Sequence, residues 1–447
     1  MATTYFESAN NILKNIQTSL VNVIPSPSFI FANQIKFEES KKLGNNYVFD
    51  VEANYEQAVT PGGSARRAST LYSPNAGRID QATVPSYRAV NRAIIATAML
   101  DASKTEKTSF DSVIRNRPKS VVMGLAKHNE IDFFYGQTRK GLSHAGTAIA
   151  NATQVSASGT WYAATVTLDN DDYAIGMYAG MSGARLEFWK AGAQIGGASQ
   201  AYLRTITFKN GSTAGSVVVE FESQTDRDAV VTAATSVEIW FLGERTGAAA
   251  YDEMIGLNGI VTNTTTLFGV DTTVNELFRG NTIDWSALTN RKLNLAGLLA
   301  AVATPMALGL EGKTVQVHIP QVSMAGLVND EAALKRYNGN ERKGQRGFNT
   351  LEFFYNNTSF EIVVNNIVKE GHVFGFVKEE CHRVGTHDVQ LESATYDGKD
   401  NFLYRASGDI DGYEVRASSD QQVYLERPAT SFRIAGVAPL GTAWTGA

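Results

Sequence analysis

The chain has 447 residues, 43% hydrophobic and 19% charged, with a formal net charge of −5. Such a length predicts roughly two to four domains and such a composition an ordered globular chain, which excludes a low-complexity scaffold. No basic field advertises nucleic-acid binding over the whole molecule, no apolar run approaches the roughly 20 residues of a bilayer span, and the single cysteine, Cys381, predicts a reducing cytoplasm.

Residues 1–25 carry Phe6, Ile12, Leu13, Ile16, Leu20 and Val21 at helical spacing, before Pro25 and Pro27. This predicts an amphipathic helix that docks elsewhere on the fold or on a neighbouring chain. It lacks a basic segment followed by an apolar one, so no secretory signal is expected. Extended segments are predicted at 46–60 and 84–100. Between them lies an irregular stretch of about 24 residues that contains PGGSARRASTLYSPNAGR, 61–78. It has glycines but no Gly-Lys-Ser/Thr and no helix behind it, so it fails as a phosphate loop. A kinase site at Ser69, a plain surface loop and an arm that reaches a partner stay open. The longest helix is predicted over 108–135, with Ser109 as N-cap, a kink or restart at Pro118 and closure at Gly136.

From 145 to 250 the pattern changes to short strands: WYAATVTL, RLEFWK, AYLRTITF, SVVVEFE and SVEIWFL. Turn residues separate them, which predicts a small antiparallel sandwich or barrel with a core of its own. Mixed α/β structure returns after 251. Helices are expected at 289–303 and 323–337, and strands at TVQVHIP, 351–355, 359–369 and 373–378. A last strand candidate, VYLERPATSFRIAGV, is broken at Pro428. Cys381 and His382 with His372 and His387 match no zinc spacing. The acidic pairs Glu379-Glu380 and Asp169/Asp171/Asp172 read as solvated. No hydrolase, metalloprotease or dinucleotide motif occurs in its required context, so the sequence does not argue for an enzyme.

The stretch EMIGLNGIVTNTTTLFGVDTTVNELFRG, 253–280, sets out Gly256-Leu257, Gly269-Val270-Asp271 and then Phe278 to Trp285. A helix, a Gly-rich turn, the strand Val315 to Pro320, SFEIVVNNIVKEGHVFGFV and a strand with Arg427-Pro428 follow. This succession resembles tailed-bacteriophage major capsid proteins of the Hong Kong 97-type fold, over most of 46–144 and 251–447. The resemblance implies an α+β fold with an N-terminal arm at 1–44 and an E-loop region at 45–103. A P-domain spine helix at 104–144 follows, with an inserted β-sandwich-like domain at 145–250 on the outer surface. A P-domain/A-domain connection would occupy 251–279, the A-domain 280–370, and the A-domain end and P-domain return 371–447.

The resemblance further implies a non-enzymatic protein, without catalytic, cofactor or metal site. It would self-assemble as hexamers and pentamers into an icosahedral shell around double-stranded DNA, in the cytoplasm of a host bacterium. Its implied partners are further copies of itself, a separate scaffolding protein, a portal, a cement or decoration protein, and DNA held without sequence specificity; no membrane is involved. Arg66, Arg67 and Arg78 would seek carboxylates on the neighbouring subunit. Gly44 to Ser103 contains no lysine, so the covalent E-loop cross-link of some family members is not expected. Only 1–44 precede the E-loop region, which implies little or no N-terminal cleavage. An encapsulin-like nanocompartment shell and a β-rich tail fibre or adhesin are the alternatives.

Overall fold

The computed structural model describes residues 34–39, 46–56, 58–61, 71–73, 77–97, 107–157, 159–196, 201–209, 214–288, 291–324, 326–327, 351–396, 399–401, 403–406 and 411–438. The predicted helix in 1–25, Arg66 and Arg67, and most of the helix expected at 323–337 lie outside them.

Strand β1 (Phe37–Glu39) is followed by a ribbon of β2 (Asn46–Asn54) and β3 (Arg78–Pro85), paired antiparallel. Sequence patterning placed Arg78 to Thr83 in irregular chain and began the extended segment only at Val84. Arg78 to Pro85 form a strand because Ala82 and Val84 are buried at alternate positions against the body of the protein. After β4 (Tyr87–Ala96) comes helix α1 (Lys107–Tyr135), which continues through Pro118. Ser109 therefore lies inside the first turn and is not its cap. Asn91 donates to the Val121 carbonyl at 2.9 Å, and Val121 and Leu125 pack on Ala417, which seats α1 across a sheet. The helix stops where glycine is required. A Cβ on Gly136 would stand 2.1 Å from the Met254 carbonyl oxygen, and one on Gly256 2.4 Å from that of Asp132.

The chain then builds β5 (Gly141–Leu142), β6 (Ala150–Ala152), β7 (Tyr162–Thr167), helix α2 (Ile175–Tyr178), β8 (Arg185–Lys190), β9 (Ala193–Gln194), β10 (Ala201–Thr207), β11 (Ser216–Phe221), helix α3 (Gln224–Ala233) and β12 (Glu238–Phe241). All five strand segments expected here are strands. They belong to one eight-stranded antiparallel sheet, ordered β5-β12-β8-β10-β11-β7-β6 with β9 paired to β8 off this path, and not to two stacked sheets. A bridge between Ser143 and Leu168 joins the β5 end to the β7 end, so the sheet curls back on itself. Its apolar residues do not form a separate core. Leu168, Leu203, Val219 and Phe221 share one buried cluster with Ile131, Phe134 and Tyr135 of α1.

Helix α4 (Leu257–Thr262) precedes a tight hairpin of β13 (Thr266–Leu267) and β14 (Val270–Asp271). Phe268 and Gly269, at φ 51° and 87°, make its turn. Strand β15 (Asn281–Asp284) leads to helix α5 (Leu295–Pro305), which starts late because the Asn294 side chain caps it through the Gly297 amide at 2.7 Å. Strands β16 (Thr314–Ile319), β17 (Leu351–Tyr355), β18 (Thr358–Val364) and β19 (Val373–Val377) then join β15 in a six-stranded mixed sheet, whose sixth strand is the last one of the chain described, Phe432–Ala435. Strand β20 (Cys381–Leu391) precedes the small pair β21 (Ala394–Tyr396) and β22 (Lys399–Asn401), then β23 (Tyr404–Arg405), β24 (Gly412–Leu425) and β25 (Phe432–Ala435). Pro428 opens a 3₁₀ turn between β24 and β25, which is the expected break.

Strand β24 organises the remaining sheet. It pairs with β4 along one edge, and with β20 and β23 along the other, while β1 adds parallel to β20. The buried Arg383 on β20 donates from Nε to the Ile35 carbonyl at 2.8 Å, across 348 residues of sequence. No helix among the described residues is long and apolar enough to cross a membrane.

Candidate assembly interface

The β2–β3 ribbon changes character along its length. At its base, Tyr47, Phe49 and Val51 recur at period two and pack against the core. The Phe49 and Tyr47 rings stack on Tyr424 at 5.0 and 5.4 Å, and Phe49 lies 6.2 Å from Phe278. Beyond Asn54 apolar residues continue, and among the described residues little of the chain covers them. Tyr55, Val59, Leu71 and Tyr72 are 78%, 82%, 79% and 62% exposed. Ile79 joins them on β3, and the Tyr72 amide donates to Thr60 Oγ1 at 2.9 Å across the ribbon. A two-stranded ribbon cannot bury a face by itself, and contiguous exposed apolar side chains mark an interaction surface.

Of the three arginines singled out in the sequence, the structure describes Arg78. Its amide donates to Asn54 Oδ1 at 2.6 Å, and its Nε pairs with Asp80 at 3.0 Å, with 41% of the side chain exposed. Asp80 also accepts from Asn275; that bond first, and Arg78 second, hold its carboxyl below the usual range. The apolar residues flanking the arginines escaped the sequence reading. Leu71-Tyr72 inside a Gly/Ser/Arg-rich loop was the available signal.

Two buried ionic networks flank the C-terminal end of α1. In one, the fully buried Lys140 ammonium lies 2.7 Å from Glu253, 3.2 Å from Glu244 and 3.4 Å from Asp132. Burial pulls its pKa down, but Glu244, Glu253 and Asp132 together hold it well above the ordinary value. Burial pushes Glu244 up to about 7, against the pull of Lys140. His128 stands beside the same carboxylates, 3.3 Å from Glu244 and 3.4 Å from Asp132.

In the other, Asp172 takes Arg139 Nε at 2.6 Å and Lys369 Nζ at 3.2 Å. Burial raises the Asp172 pKa, but Lys369 and Arg139 outweigh it and hold the carboxyl far below its ordinary value. His372 bridges Tyr135 Oη at 3.2 Å and Arg433 at 2.8 Å. The solvated reading of the acidic pairs therefore fails at Asp172, and also at Glu380, which is buried beside Lys313 and accepts from Thr430. Both found cations far away in sequence.

Cys381 and the histidines named with it each have other surroundings. Cys381 is buried with its thiol pKa pushed up by burial, His382 faces Glu38 and Glu426, and His387 meets Ser418.

No family model matches the sequence, and no curated protein matches it. Solved structures do. The capsid asymmetric unit of cyanophage A-1(L) superposes with a TM-score of 0.55 at 9% identity, covering 94% of this chain and 96% of that one. The capsid of cyanophage P-SCSP1u gives 0.42 at 11% identity, covering 94% and 92%. That of the native GTA particle gives 0.41 at 9% identity, covering 98% and 100%. The chain is thus a mixed α+β protein with the fold of a cyanophage capsid chain.

Proposed function

We propose that this protein is the major capsid protein of a tailed bacteriophage, a non-enzymatic subunit that self-assembles into the icosahedral shell around a double-stranded DNA genome. The observation that carries the reading is the whole-chain fold likeness to the cyanophage A-1(L) capsid, 94% of this chain against 96% of that one. The β2–β3 ribbon supports it, because its distal apolar residues are left exposed among the described residues. A second copy of the subunit is the partner that would cover them.

In this reading the layout is Hong Kong 97-type. Residues 1–44 are the arm, 45–103 the E-loop, 104–144 the spine helix, 145–250 an insertion domain on the outer surface, 280–370 the A-domain and 371–447 the return. Hexamers and pentamers form by repeated contacts, with each ribbon lying over its neighbour. Arg66 and Arg67 reach carboxylates there, while Arg78 already holds Asp80 and steadies the ribbon. The absence of lysine from Gly44 to Ser103 makes the contact non-covalent. Scaffolding protein, portal and a decoration protein complete the particle, and assembly takes place in the host cytoplasm.

The test is negative-stain microscopy after co-expression with the candidate scaffolding protein from the same genome. Closed shells of uniform diameter are expected. Soluble monomers or elongated fibres alone would overturn the reading, and fibres would favour the adhesin alternative.

A further inference from the structure

We propose that His128, Asp132 and Glu244 form a binding site for one first-row divalent cation, Zn²⁺ or Mn²⁺, which clamps helix α1 to the turn that follows β12. The inference does not depend on the capsid reading, because it concerns the single subunit.

The geometry is built from both sides. His128 and Asp132 are four residues apart on α1 and so share one helix face. Glu244 comes from a turn fixed by its own groups: its amide donates to the Phe241 carbonyl, and its Oε2 accepts from the Phe241 amide, each at 3.2 Å. One ligand atom from each of the three residues lies within 4.8 Å of the others. His128 Nε2 is 3.4 Å from Asp132 Oδ2 and 3.3 Å from Glu244 Oε1. Those separations match the edge of a tetrahedron whose centre bonds N and O ligands at about 2.1 Å, an edge of roughly 3.4 Å.

Lys140 sets the orientation. Its ammonium lies 3.4 Å from Asp132 Oδ1 and 3.2 Å from Glu244 Oε2, whereas His128 faces Asp132 Oδ2 and Glu244 Oε1. Outer partners of this kind ordinarily fix metal-binding carboxylates. Glu244 is 5% exposed, and its Oε1 accepts no hydrogen bond among the described residues. The Phe241 ring packs 4.9 Å from the imidazole and keeps it facing inward.

Charge points the same way. Asp132, Glu244 and Glu253 bring three buried carboxylates against the one ammonium of Lys140. A divalent cation between these carboxylates would offset the excess of acidic over basic groups in the cluster. Lys127, the next cation along the helix, lines the same cleft and donates to the Ala179 carbonyl. A cleft of about 970 Å³ opens onto His128, Asp132 and Glu244, which gives an entry path and space for a water as fourth ligand. One imidazole with two carboxylates suits Zn²⁺ or Mn²⁺ better than Mg²⁺ or Ca²⁺, which favour all-oxygen sites.

The experiment uses the full-length subunit, stripped with EDTA and dialysed. ZnCl₂, MnCl₂, MgCl₂ and CaCl₂ are titrated by calorimetry and by thermal melting. Zn²⁺ or Mn²⁺ is expected to bind one per chain and raise the melting temperature, with at least tenfold weaker response to Mg²⁺ and Ca²⁺. His128→Ala removes a partly exposed side chain and is expected to fold and lose the binding at least tenfold. Glu244→Gln, nearly isosteric, serves as the second variant. The proposal fails if the stripped protein gives neither heat nor a melting shift with either metal. It fails equally if one-to-one binding persists unchanged in both variants.

Discussion

The β2–β3 ribbon and the eight-stranded sheet are both antiparallel β-structure made from alternating sequence, yet they use their apolar residues in opposite ways. The sheet curls until Ser143 meets Leu168 and turns Val166, Leu186, Leu203, Val219 and Phe221 inward, all essentially buried. The ribbon has only two strands, and among the described residues no second layer lies beyond its base, so Tyr55, Val59, Leu71 and Tyr72 are exposed. The sheet spends its hydrophobic surface on its own stability, whereas the ribbon leaves it uncovered. Alternation alone therefore does not say whether a strand serves its own fold or a partner; the number of neighbouring strands decides.

Substitutions should separate the two regions cleanly. The largest effect is expected at Phe221, 1% exposed and 5.8 Å from Phe188. Phe221→Ala should cost the subunit about 3–5 kcal/mol, read by urea unfolding; a loss under 1 kcal/mol would mean that the sheet does not share the main core.

A middle effect tests the core that the ribbon lacks. His318 is fully buried, lies against Phe134 and Phe376 at 5.5 and 5.1 Å, and among the described residues makes no hydrogen bond from either ring nitrogen. Burial lowers its pKa to about 3, so the folded state keeps the ring neutral while the unfolded chain protonates it near 6.5. Stability from this residue is complete above pH 6.5 and falls as the medium is acidified. Between pH 6.5 and 5 the wild type should lose about 2 kcal/mol more than His318→Leu. Equal losses in the two proteins, compared by unfolding at several pH values, would contradict that linkage.

The smallest effect on the subunit is expected at the ribbon. Leu71→Ala with Tyr72→Ala should change subunit stability by less than about 0.5 kcal/mol, yet lower the melting temperature of assembled shells. Arg66→Ala with Arg67→Ala should do the same more weakly and more so at low salt, as an ionic contact requires. Shell melting unchanged in both double variants would remove the ribbon from the interface.

Local signals carried much of this architecture. RLEFWK, SVVVEFE and SVEIWFL read as strands because their alternation and β-branched content are self-contained, and the break at Pro428 follows from proline itself. Gly256 and Gly269, two landmarks of the family resemblance, have physical reasons. One admits the Asp132 carbonyl, and the other sits at φ 87° in a two-residue turn. The rest was hidden because it depends on distant partners. Nothing near Arg78 in sequence announces that it begins a strand, since the strand exists only against β2. Asp172 reads as solvated until Lys369 arrives from almost 200 residues away. The His128–Asp132 spacing on a helix was visible, but Glu244 was not a neighbour until the sheet had folded.

The far-flung pairing around β24 bears on when a subunit becomes competent. The aromatic seat of the ribbon is Tyr424, and β1 and β4 join their sheet only through β20 and β24. While the chain is still emerging from the ribosome, Tyr47 and Phe49 have no ring to stack on, and Arg383 has not reached the Ile35 carbonyl. Closing contacts so distant in sequence is slow and comes late. Contacts with Phe268, Asn275 and Phe278 form first, and the anchorage of the ribbon is therefore completed only once β24 has been translated.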